Sequence, residues 1–202
     1  PMNGLLCYCR AGFEPELAGE LTDRAAEAGF AGYARTERNS GHVVFACEDA
    51  DALSRAVPWS TLIFARQKLR LFAELRGLDP RDRIAPMLAA LPPGIRFGEL
   101  VMEHPDSDAA KPLAGLARSL GNALRPALRK ADLLTREDNP RLQRLHVCLL
   151  DGDHALLATG EPEDSAPWPL GIPRLRMHAD APSRSALKLE EALLVLLDAD
   201  ER

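Results

Sequence analysis

Leu5-Leu6-Cys7-Tyr8-Cys9 is an apolar run that reads as a buried strand, and the stretch from Phe13 to Ala65 places that strand in a fold. Phe13 to Ala28 carries Leu17, Leu21, Ala25 and Ala28 as one apolar stripe at helical spacing, and Gly29 stands where a C-cap belongs. Gly32 to Arg35 and His42 to Cys47 read as two strands. Asn39-Ser40-Gly41 between them is a hairpin signal. Asp49 to Val57 is a short helix stopped before Pro58, because the residue preceding a proline is pushed out of the helical region. Leu62-Ile63-Phe64-Ala65 opens the next strand. The order is βαββαβ, a ferredoxin-like plait that ends near residues 60–66.

The run from Arg66 to Leu75 then alternates cation and apolar residue, Lys68 and Arg70 against Leu69 and Leu71. Alternation of this kind predicts a half-buried strand with one basic face, on which Lys68 and Arg70 stand. Arg81 to Leu91 reads as a helix ended by Pro92-Pro93-Gly94, and Glu99 to Glu103 as a strand. Asp108 starts a helix through Leu113, Leu116 and Leu120. Gly121 is expected to interrupt it, and Pro126, tolerated only in a first turn, puts the start of a second helix near Asn122. Leu145–Leu150 and Ala155–Thr159 close a hairpin across Asp151-Gly152-Asp153. From Glu161 to Pro169 the composition shifts to Glu, Asp, Ser and Pro, the mark of a linker. The expected class is α+β: a plait over residues 1–60, a second α/β domain over 61–160, a linker over 161–180 and one helix over 181–202.

An apolar content of 46% argues against disorder. No apolar run approaches the ~18–20 residues that span a bilayer, and Leu5 to Cys9 is too short and lacks the basic flank of a signal peptide. A cytoplasmic location and free, buried thiols are expected, since none of the four cysteines shows metal or redox spacing. The five histidines have no metal-ligand spacing either. The net charge of −5 speaks against a polyanion partner, but its distribution does not. Residues 1–60 carry −4, whereas residues 111–146 carry 8 basic and 3 acidic side chains, a balance of +5. Within that segment Arg118, Asn122, Arg125 and Arg129 would share one side if the two helices were continuous, and aligned guanidinium groups suit a phosphate backbone.

The last stretch begins as a helix at Pro182, with Ser183 and Ser185 as candidate caps. Leu189, Ala192, Leu193 and Leu196 form its apolar face, and Arg184, Ser185, Lys188 and Glu191 the other. Spacing alone supports a capped surface helix with a weak ion pair. The order Ser183-Arg184-Ser185, Lys188-Leu189, Glu191 resembles the helix that opens the catalytic domain of FtsJ-like ribose 2′-O-methyltransferases. Gly171-Ile172-Pro173-Arg174-Leu175 with Ala179 to Ser185 resembles, more specifically, the RlmM-type family acting on a cytidine of 23S rRNA. The second half resembles, diffusely, a THUMP RNA-binding domain.

The resemblance implies an S-adenosylmethionine-dependent methyltransferase with 23S rRNA as partner. Lys188 would be the first lysine of the family's Lys-Asp-Lys-Glu set, and Ser185 would line the methyl-donor site. RNA contacts are expected at Lys68, Arg70, Arg118, Arg125, Arg129 and Arg174. The glycine-rich turn that holds the methyl donor would lie beyond Arg202, so this stretch alone is expected to be inactive. The apolar stripe of the last helix would then offer a homo-oligomer contact. Two alternatives stand beside this reading: a THUMP protein of tRNA thiolation or base methylation, and a plait-fold interaction module without an RNA role.

Overall fold

In the computed structural model, which describes residues 2–176, 179–180, 183 and 185–197, β1 (Gly4–Tyr8) is buried along its whole length. Successive side chains of a strand leave by opposite faces. Leu5 and Cys7 therefore join Leu17, Leu21 and Ala25 of α1 (Glu14–Glu27) and Leu53 of α2 (Ala50–Ala56) in one cluster. Leu6 and Tyr8 join Val44, Leu69 and Leu71 in another. Both helices end and start as their sequences dictate. Gly29 takes a φ of 83° after α1, which lets the Phe30 N–H reach back to the Ala25 carbonyl at 2.9 Å. Asp49 caps α2 by accepting from the Ala52 N–H at 3.2 Å.

β2 (Tyr33–Thr36) and β3 (His42–Ala46) form the hairpin read from Asn39-Ser40-Gly41. Asn39 and Gly41 adopt φ of 59° and 74°. A Cβ on Gly41 would also stand 2.9 Å from the Asp106 carbonyl oxygen, so glycine is required there by both conformation and close approach.

β4 (Gln67–Leu75) pairs with β1 along one edge and with β7 (His154–Gly160) along the other. β6 (Arg144–Asp151) and β5 (Glu99–Glu103) complete one sheet in the order β2-β3-β1-β4-β7-β6-β5, with β5 and β6 its parallel pair. Register puts α1 and α2 on the same face as α3 (Ile84–Ala89) and α4 (Ala114–Lys130). There Phe72, Leu120, Leu124, Leu128, Val147 and Leu157 make the core of the second half. The plait and the second α/β half therefore share β4 rather than a flexible joint.

Four expectations change. Residues 62–65 lie outside β4, which starts at Gln67, and α3 is shorter than the run from Arg81 to Leu91. α4 is continuous. Gly121 does not break it but lets it approach β5, since a Cβ there would sit 2.8 Å from the Met102 side chain. Pro126 is accommodated inside the helix. Residues 161–171, read as linker, belong to the first compact unit, which spans residues 1–171. The second unit, residues 172–202, contains α5 (Ser185–Leu196), on which no described residue is buried. Pro182 and Arg184, expected at the start of that helix, lie outside the described residues.

Candidate nucleic-acid interface

Continuity of α4 brings Arg118, Asn122, Arg125 and Arg129 to one side of one helix. Their freedom differs. Arg118 and Asn122 are exposed. Arg125 is half-buried and donates to the Leu100 carbonyl at 3.3 Å. Arg129 donates from Nε to the Thr135 carbonyl at 3.0 Å and lies 4.0 Å from Asp138. Arg118, Asn122 and Arg125 line a shallow groove of about 280 Å³ with Glu99 and Pro169. The guanidinium of Arg118 makes no hydrogen bond among the described residues and, of the three arginines, is the one left wholly to solvent.

Lys68 is not part of this surface, which corrects the basic outer face expected for β4. It is 2% exposed. Its Nζ donates to the carbonyls of Ser54 and Val57 at 2.7 and 2.8 Å and to Asp164 Oδ2 at 2.5 Å. The alternation of cation and apolar residue holds, but the face it defines turns under the C-terminal end of α2. Carbonyls at a helix C-terminus carry partial negative charge, a natural seat for an ammonium. Arg70 on the same face is bound to Asp51 at 2.8 Å and is only partly exposed, so it too is mostly committed within the protein.

The segment after β7 answers several other buried polar groups. Gln67 grips Ala166 twice, by Nε2 to its carbonyl and by Oε1 from its N–H, both at 2.8 Å. Arg144 Nη2 donates to Ser165 Oγ at 2.6 Å and to the Ala166 carbonyl at 3.1 Å. Asp164 accepts from the Trp59 N–H at 2.8 Å besides binding Lys68. Glu103, 3% exposed, accepts from the Leu170 N–H and pairs with His146 Nδ1, each at 3.2 Å. Burial alone would raise the Glu103 carboxyl, but His146 and its hydrogen bonds outweigh burial and hold it below the ordinary range. Sequence reading missed Gln67, Arg144 and Asp164 because their partners lie tens of residues away.

Nothing among the described residues supplies a reactive thiol or a metal cage. All four cysteines are free and buried, and burial pushes Cys7 and Cys9 up to about 12. No described group of three or more His, Cys, Asp or Glu is arranged to hold a metal ion. No described helix is long and apolar enough to cross a membrane. In the second unit Arg174 is exposed, and Ser185 and Lys188 are exposed one turn apart on α5. One hydroxyl and one ammonium on one helix fit an edge of a methyl-donor site, not its enclosure.

With this geometry in hand, likeness to known proteins is specific. A family model described as the RlmM ferredoxin-like domain matches residues 2–69. Another, described as ribosomal RNA large subunit methyltransferase M, N-terminal, matches residues 82–160. The protein named ribosomal RNA large subunit methyltransferase M of Xanthomonas campestris pv. campestris (strain B100) is 68% identical over 201 residues, covering 100% of this chain and 58% of the relative. Its namesake from Xanthomonas oryzae pv. oryzae (strain PXO99A) is 67% identical with the same coverage. The chain thus spans 58% of the length of these relatives. Among solved structures, PH1313 from Pyrococcus horikoshii Ot3 superposes with a TM-score of 0.50 at 11% identity, over 79% of this chain and 54% of that one. That likeness concerns the fold alone.

Proposed function

The chain belongs to the family of ribosomal RNA large subunit methyltransferase M, as its N-terminal part, and from that premise we propose that it is the RNA-recognition region of an enzyme that methylates a cytidine ribose 2′-hydroxyl of 23S rRNA. The observation that carries the reading is the match of both family domains, together with 68% identity across the whole chain. Residues 61–160 act in this reading as a THUMP-like module, with Arg118 and Arg125 of α4 meeting phosphates and Arg174 continuing toward the catalytic part.

A ribose hydroxyl is a weak nucleophile at neutral pH, so the site must stabilise the developing alkoxide and hold it in line. S-adenosylmethionine, when bound, supplies the methyl group. Lys188 would place its ammonium against the negative charge growing on the 2′-oxygen, and Ser185 would orient the donor from one turn away. Both stand on a helix, which fixes their spacing better than a loop would. The remaining groups of the site would come from residues that the longer relatives have and this stretch does not. The enzyme would work in the cytoplasm, where its rRNA substrate is made.

Mass spectrometry of nuclease digests of 23S rRNA, from cells with and without the gene, tests the reading. Loss of one 2′-O-methylcytidine, restored by the gene and not by a Lys188→Ala version, is the expected result. An unchanged methylation pattern overturns it.

A further inference from the structure

Two clefts meet along the seam between the β2–β3 hairpin and residues 105–111, the stretch leading from β5 to α4. One, of about 450 Å³, is lined by Arg35, Arg38, His42 and Arg76 with the acids Glu37 and Asp151, and its Arg35 and Arg76 are both paired with Glu74. The other, of about 810 Å³, is lined by Arg10, Arg38, Arg66 and Lys111 against Asp106 and Asp108. Arg38, Asn39, Ser107 and Ala109 border both, so they form one continuous groove. In the larger cleft Arg66 is paired with Asp106 at 3.2 Å and Lys111 with Asp108 at 2.7 Å. Arg10 and Arg38 are exposed and have no ion partner among the described residues. The groove therefore carries two uncommitted guanidinium groups.

Their loops are fixed. Glu14, 1% exposed, accepts from the Gly12 N–H at 2.7 Å and from the Ser40 N–H at 3.1 Å. One buried carboxylate thus staples the loop bearing Arg10 to the hairpin bearing Arg38. The Cys9 N–H adds a bond to the Gly41 carbonyl at 3.0 Å. Arg66 is anchored by its own N–H on the Tyr8 carbonyl at 2.8 Å. Cations held on ordered backbone lose little freedom when they meet an anion.

We propose that this groove holds the phosphodiester backbone of single-stranded RNA. The inference rests on the RNA-recognition reading above and gives it a second contact surface besides α4. Its length and open shape suit a strand rather than one small anion, and its donors are guanidinium and ammonium groups that position phosphates without reading bases. No sequence window shows it. Arg10 and Arg38 lie in the segment of charge −4; of its acids Glu37 lines the groove, whereas Glu16, Glu20, Asp23 and Glu27 line a different cleft, along α1.

The test is binding of a fluorescent oligocytidylate to this chain as a function of salt. Arg10→Glu with Arg38→Glu should weaken binding roughly ten-fold at low salt and reduce the slope of log K against log salt by about 1.4, for two phosphates of a single strand. Arg10→Lys with Arg38→Lys should keep the slope. A charge-matched control, Arg55→Glu with Arg141→Glu, both exposed, should leave it nearly unchanged. Unaltered thermal melting of the groove pair shows that the fold persists. Hydrogen exchange should slow at residues 10–12 and 105–111 when the oligonucleotide binds. If the chain binds but the groove pair behaves like the control, the groove is wrong and the RNA reading stands. If the unaltered chain shows no salt-dependent binding, the RNA reading fails and takes the groove with it.

Discussion

β4 and α4 each carry a row of cations, and the two rows live in opposite surroundings. On β4, Lys68 is 2% exposed and meets two carbonyls and a carboxylate. On α4, Arg118 stands in solvent. The chemistry of the two side chains differs less than what lies above them. The face of β4 is roofed by the C-terminal end of α2 and by the strap of residues 161–171. A buried ammonium is tolerable only when every donor is answered, which Ser54, Val57 and Asp164 do. No described element roofs the outer face of α4, so its cations remain available in graded degree, Arg118 most and Arg129 least. A cation's place on a periodic element says which way it points, and only the tertiary roof says whether it serves the fold or a partner.

That contrast is sharpest at Lys68. Lys68→Ala should cost about 3 kcal/mol in urea unfolding, because it leaves two buried carbonyls and the Asp164 carboxylate without their cation. A loss under about 0.5 kcal/mol, the range of ordinary surface changes, would place Lys68 in the same class as Arg118. Arg144→Met comes next, at about 2 kcal/mol, since Ser165, the Ala166 carbonyl and His146 lose their shared donor. Amide exchange should quicken at residues 165–166 in that variant, and unchanged exchange there would show that the strap does not depend on Arg144.

Glu74, on the opposite face of β4 beside Leu156, extends the comparison by pH. Hydrogen bonds from Arg35, which outweigh the opposing effect of burial, hold its carboxyl at about 2 rather than 4.5, with His154 and Arg76 assisting. A carboxyl depressed in the folded state contributes stability that is complete above 4.5 and drains away as pH falls toward 2. Glu74→Gln should therefore flatten the acid limb of the stability curve and cost about 1 kcal/mol near neutrality, once solvent screening is allowed for. An acid limb identical to that of the unaltered chain would refute the coupling. The smallest effect belongs to Arg118→Glu. Its stability should change by less than about 0.5 kcal/mol, while the salt slope of RNA binding should fall by about 0.7, the worth of one single-strand phosphate. A stability loss comparable to that of Lys68→Ala would erase the contrast from the other side.

The apolar runs of β1 and β3, the stripe of α1 with Gly29, and the Asn39-Ser40-Gly41 turn were all legible, because each is decided by neighbours in the chain. Gly121 was not, since its role depends on Met102 across the helix–sheet contact. The strap was not, because Pro, Asp and Ser read as loop, while the groups that bury Ser165 and Ala166 are Gln67 and Arg144, far off in sequence. Of the candidate site, the α4 row was visible as charge and spacing. The groove was invisible in principle, as Arg10, Arg38, Arg66 and Lys111 come from four separate stretches of chain and meet only after folding.

The sharing of β4 bears on how this protein can be cut. A fragment ending at Leu69, where the ferredoxin-like match stops, would keep three of the nine residues of β4. Leu5 and Gly4 of β1 would lose their partners Arg70 and Leu71, leaving a half-open edge of buried, apolar strand ready to pair with other chains. A fragment starting at residue 82 would likewise leave β7 paired with β6 but without β4 on its other edge. One family match ends inside β4 and the other begins only after it, so for the purposes of expression, proteolysis and evolutionary exchange the unit is the whole sheet, and a workable boundary falls after Gly171 rather than between the halves.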